Sequence, residues 1–172
     1  MPIIRIIVFC TGFLLIANSA NLAFAKVKNG IISDAIFYFS VIGSDGTVRK
    51  FERNVVPNIP KNVCYGWRLK LKNASNIVKF TEEFSLPSEP NYWPNEDDSY
   101  ATNTVSKDRK SSLTQKFVTP KHGWIENGWC IVEGDPLGIY KMKIFISDVF
   151  VYEFEFEVLT LDNFRKRRTE NQ

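Results

Sequence analysis

Tyr152-Glu153-Phe154-Glu155-Phe156-Glu157-Val158 decides the fold. Rings and a valine occupy every second position, and carboxylates fill the gaps. On a helix this pattern would scatter the rings around the axis; on a strand it places them all on one face. Upstream, Tyr140, Met142, Ile144 and Ile146 alternate with Lys141 and Lys143 in the same way. Ser147-Asp148-Val149 separates the two runs, so the sequence predicts an antiparallel hairpin. A three-residue loop there sets Ile146 against Phe150, Ile144 against Tyr152 and Met142 against Phe154. It also sets Lys143 beside Glu153 and Lys141 beside Glu155, and leaves Phe145 and Val151 on the outer face. A one-residue slip would exchange the two faces, which selects this register.

Working outward, Tyr65, Trp67, Leu69 and Leu71 alternate with Arg68, Lys70 and Lys72. Ile36 to Ile42 is nearly all apolar and ends at Gly43-Ser44-Asp45-Gly46, with Thr47 to Arg53 as its return strand. Leu113 to Thr119 and Trp129 to Glu133 complete about seven or eight strands. Val78, Phe80, Phe84 and Leu86 share one parity, and Glu82 interrupts them. A bulge turning Glu82 outward is the ordinary reading, because an unpaired buried charge is costly. The sharper reading is a buried acid with a shifted pKa. Fourteen Phe, six Tyr and four Trp suit strands, and the chain shows no internal repeat or long helical stripe. The predicted fold is an all-β antiparallel sandwich, one domain over residues 26–162 with one long loop at 87–112. Residues 163–172 are read as a loose basic tail.

Residues 1–25 carry Arg5, an apolar run from Ile6 to Ile16, and Ala23-Phe24-Ala25 before Lys26. These are the parts of a secretory signal, and the run falls short of the ~20 residues needed to cross a bilayer. Periplasmic or secreted location follows, with no transmembrane anchor after cleavage. Loss of the signal removes Cys10 and leaves Cys64 and Cys130. In an oxidising compartment these two are expected to join, worth roughly 4 kcal/mol in loop entropy; two buried free thiols are the alternative. The remaining chain has a net charge of about +2, concentrated in Arg165-Lys166-Arg167-Arg168. A solvated tail is the ordinary reading of that run, and contact with phosphate-rich envelope lipid or polymer the sharper one.

Gly134-Asp135-Pro136-Leu137-Gly138-Ile139-Tyr140 is the most specific motif. Its D-P-x-G-x-Y pattern resembles the lead-in to the penultimate strand of immunoglobulin-like domains. There the tyrosine hydroxyl bonds back to nearby backbone and closes a corner. The resemblance implies an immunoglobulin-like sandwich with Tyr140 as the corner residue and Asp135, Pro136 and Gly138 shaping the turn. Antibody-type domains place the acid four residues before the tyrosine, where Asp135 lies five before, and have a cysteine where this chain has Met142. The match is to the looser form found in immunoglobulin-like modules of bacterial envelope and surface proteins, over residues 129–158.

Catalytic material is sparse. The single histidine, His122, lies in a turn-like Pro-Lys-His-Gly, and no G-x-S-x-G elbow is present. No cofactor or metal site is expected: the cysteines lack zinc spacing and Glu96-Asp97-Asp98 lacks an EF-hand's spaced ligands. Carboxylate pairs for glycan hydrolysis would come from Glu82-Glu83, Glu133 with Asp135, or the acids at 96–98. Tyr92, Trp93 and Tyr100 mark the 87–112 loop as the candidate binding loop. The expected function is an exported, non-catalytic module that binds a protein or cell-envelope component, with no role for nucleic acid. A small secreted glycan hydrolase using acids of that loop is one alternative, and an inhibitor or immunity protein is the other. Asn73-Ala74-Ser75 is a glycosylation sequon if the source is eukaryotic.

Overall fold

The alternating segments do form strands, and the hairpin that carries them is the spine of the larger sheet. The computed structural model describes residues 30–73, 76–93 and 101–170. Ten strands occur among these residues: β1 Ile32–Ile42, β2 Val48–Phe51, β3 Val55–Pro57, β4 Val63–Leu71, β5 Val78–Ser85, β6 Ala101–Val105, β7 Ser111–Val118, β8 Trp124–Cys130, β9 Gly138–Ile146 and β10 Val149–Leu159. One helix, α1, spans Leu161–Glu170. The strands make two sheets, ordered β2-β1-β4-β8 and β3-β10-β9-β5-β7-β6. Their inner faces meet in one aromatic core. Trp67, Tyr140, Phe80 and Phe156 are its largest fully buried side chains, and Phe37 stacks on Phe156 at 4.5 Å.

The β9–β10 hairpin shows how the register is held. Lys143 opposes Glu153, Met142 opposes Phe154 and Lys141 opposes Glu155, as the charge pattern requires. Near the turn the chain departs from the three-residue loop. Ser147 and Asp148 form a two-residue turn at φ 47° and 66°, the left-handed conformation that tight hairpins need. Phe145 then opposes Phe150, and a bulge before Tyr152 absorbs the extra residue. Because the bulge breaks the alternation, Val151 enters the core at 0 % exposure instead of lying on the outer face. The strained turn is tied down by Ser147 N–H donating to Lys79 O and by Lys79 Nζ reaching Asp148 at 2.9 Å.

Three further expectations change. The 87–112 loop is shorter, because 101–105 pairs with β7 as the sheet's edge strand. Thr102, Asn103 and Thr104 are polar enough for an edge yet include good strand formers. The basic tail is helical instead of loose: Thr160 Oγ1 caps it by accepting from Asn163 N–H, Asp162 lies in its first turn, and Arg167 and Arg168 lie in its last. Phe164 then packs edge-on against Phe39 at 5.9 Å. The sandwich is also not wholly antiparallel, since β3 pairs with β10 in parallel.

Candidate functional site

Proline at 136 and glycine at 138 turn the chain into β9 as the D-P-x-G-x-Y pattern requires. Tyr140 Oη donates to Pro136 O at 2.6 Å, closing the corner. Asp135 Oδ2 accepts from Val132 N–H at 2.9 Å, while burial pushes its carboxyl above the usual range. Two glycines let another segment lie against this turn. Gly134 has φ +85°, and a Cβ there would run into the side chain of Asn91; Gly138 has φ +125° and faces Pro87. Residues 87–93 are thereby seated on the corner.

That seating makes a groove of about 310 Å³. Its walls are Phe84 of β5, Pro90, Tyr92 and Trp93 of the seated segment, Trp129 of β8, and Asp135. Phe84 packs on both indoles, stacked on Trp129 at 5.6 Å and edge-on to Trp93 at 6.0 Å, and the indoles meet each other edge-on at 6.5 Å. Trp93 Nε1 donates to Arg109 O at 2.8 Å, and Arg109 also holds Glu89 at 2.6 Å. The segment is therefore pinned from both sides. Of the candidate binding residues, Tyr92 is 58 % exposed at the rim and Trp93 is 7 % exposed in the wall. Tyr100 lies outside the described residues, as do Glu96, Asp97, Asp98 and the N-terminal 1–25 stretch.

Glu82 lies behind the groove. No bulge turns it outward; it is 0 % exposed, on the parity it shares with Phe80 and Phe84. Its carboxylate accepts from Trp67 Nε1, from Trp129 Nε1 at 2.7 Å and from Asn127 Nδ2 at 3.1 Å. Burial, the larger influence, raises its pKa; the three donors and the Lys116 ammonium pull it back. Lys116 in turn donates to Asn127 Oδ1 at 3.1 Å. The network fixes Trp129, and so the groove wall, to the centre of the core. Sequence reading missed Trp129 and Asn127 as partners because it started that strand at Trp129. The inward parity of Ile125, Asn127 and Trp129 is the signal that reveals them.

Cys64 and Cys130 are joined, their Cα atoms 3.8 Å apart. They face one another across β4 and β8 within one sheet, unlike the inter-sheet bridge of antibody domains. Cys130 also lines the groove. His122 occupies the turn between Lys121 and Trp124 at φ 53°. Among the described residues, no three His, Cys, Asp or Glu side chains gather to hold a metal ion. No helix among them is long and apolar enough to cross a membrane.

A family model described as the PM0630 beta sandwich domain matches residues 35–159, most of the chain and both sheets. The chain belongs to the PM0630 beta sandwich domain family. An immunoglobulin-like protein of Pseudomonas aeruginosa is a structural neighbour at 15 % identity and a TM-score of 0.45, with 80 % of this chain and 98 % of that one covered. No curated protein matches. The matched span of this chain contains the corner, the groove's Trp129 and Asp135, and the buried Glu82.

Proposed function

We propose that this PM0630-family domain is an exported, non-catalytic module that holds a partner, protein or cell-envelope component, in the aromatic groove. The groove itself carries the reading. It is apolar, walled by rings that are locked before any ligand arrives, and rimmed by the exposed Tyr92. Rings held in place lose little freedom on binding, which favours affinity. Export is supported by the signal-like 1–25 stretch and by the Cys64–Cys130 bridge, which persists in oxidising compartments. The groove's one carboxyl among the described lining residues, Asp135, is engaged by Val132 N–H, an arrangement suited to shaping a turn.

The test is a photo-crosslinking residue placed at Tyr92 and, as a control, at Phe117 on the outer sheet face. The protein is expressed in its native envelope and its adducts are identified by mass spectrometry. A discrete adduct at position 92 that is absent at 117 is expected. Identical adduct patterns at both positions, or hydrolysis of polysaccharide by the purified protein, overturns the reading.

A further inference from the structure

The fold gathers a second set of groups that the groove does not use. The connection after β2 brings Arg53 up to α1, where Arg167 and Arg168 face it across a cavity of about 380 Å³. A second cavity of about 200 Å³ adjoins it, walled by Phe39, Phe51, Ile59 and Leu161. Arg53, Phe164 and Arg168 line both. One chamber is therefore basic, its neighbour is apolar, and two arginines stand at the boundary.

Acids beside the basic chamber are drawn to other arginines. Glu52 is held by Arg68 at 3.2 Å, and Glu157 by Arg167. Asp162 lies 3.9 Å from Arg165. Among the described residues, Arg53 and Arg168 form no ion pair. A guanidinium fork matches the oxygens of a phosphate ester, and a free phosphate would leave the apolar chamber unused. We propose that this end of the sandwich binds the phosphate headgroup of an anionic phospholipid, with Phe39, Phe51 and Phe164 covering the start of its acyl or glyceryl chain. The site shares no lining residue with the aromatic groove, so it stands or falls separately from the proposed function.

The test is sedimentation of the full chain with phosphatidylglycerol vesicles and with phosphatidylcholine vesicles, in about 0.1 M salt, where charges act within about 10 Å. Binding to the first and not the second is expected. The double variant Arg53→Gln/Arg168→Gln is expected to bind about 30-fold more weakly, which is about 1 kcal/mol per arginine near an anionic surface. Arg165→Gln/Lys166→Gln removes the same charge away from the chambers and is expected to cost several-fold less. Equal losses in the two double variants mean diffuse charge and overturn the site. Inorganic phosphate bound as tightly as short-chain phosphatidylglycerol means a phosphate site that gains nothing from the chain, and likewise overturns it. In the unaltered protein, short-chain phosphatidylglycerol is expected to shift the NMR signals of Arg53, Phe164 and Arg168, and their silence would refute the proposal.

Discussion

Replacing Glu82 tests whether the buried carboxylate organises the core or is merely tolerated by it. Glu82→Leu fills similar space but removes the acceptor of three buried donors: the indole N–H groups of Trp67 and Trp129 and the amide of Asn127. Each donor left unsatisfied costs about 1–3 kcal/mol. Even at the low end the loss is about 3 kcal/mol, partly offset by no longer burying a charge. Glu82→Gln is milder. One carbonyl can still receive Trp129 and Asn127, which both bond Oε1, while Trp67 then faces the new NH₂ group. One orphaned donor costs about 1–3 kcal/mol. Urea unfolding followed by tryptophan fluorescence reads both. With slopes of about 1–3 kcal/mol/M, the leucine variant's midpoint falls by about 1–3 M and the glutamine variant's by less. A leucine variant as stable as the parent would show that the donors find other partners and that the network holds nothing.

The same pair of proteins gives a pH signature. Burial raises Glu82's folded-state pKa above its unfolded value. Its contribution is therefore full below the unfolded pKa and is lost as pH rises through the folded one. The stability advantage of the parent over Glu82→Gln is expected to shrink as pH rises from the ordinary carboxyl range through Glu82's raised folded-state value. An advantage that widened with pH would mean that the donors outweigh burial.

Tyr140→Phe removes the bond to Pro136 O; about 1 kcal/mol is expected, seen as a fall in melting temperature of about 2–4 °C. Gly134→Ala adds a Cβ against Asn91 at a positive φ and should cost about 1–3 kcal/mol. It should also redshift the emission of Trp93 as residues 87–93 lift off the corner. Replacing Cys64 and Cys130 together by alanine opens a cross-link spanning 66 residues. Loop entropy then gives a loss of about 4 kcal/mol, measured against the parent by urea midpoint, and a loss below about 1 kcal/mol would show that β4–β8 pairing already supplies the constraint.

The fold was legible where burial follows a strict alternation. Tyr152 to Val158 and Tyr140 to Ile146 each state their inner face, and the charge pairs across them state the register. The corner was legible because only a few residue types make that turn. What escaped notice depends on partners distant in the chain. Glu82 has the parity of a core residue, but the indoles that make its burial tolerable lie 15 and 47 positions away. Without them in view, a bulge was the less costly assumption. β6 escaped because an edge strand needs only one modestly apolar face, and β3 because it is three residues long and pairs in parallel. The helix announces itself only through its cap at Thr160, since α1 buries none of its residues.

The Glu82 network also limits what the groove can recognise. Trp129 spends its only donor on Glu82, and Trp93 spends its own on Arg109 O. Neither indole has an N–H left for a ligand, so both offer ring faces and edges alone. Orientation of a bound partner must then come from elsewhere on the rim. Among the described residues the rim offers the hydroxyl of Tyr92, the carboxyl of Asp135 and the backbone of β8, which is an edge strand of its sheet. An extended peptide laid along β8 would use these groups, resting an apolar side chain on the exposed ring surface while its main chain pairs with the strand. On the function proposed above, ring surfaces beside a strand edge suit an extended segment with an apolar side chain.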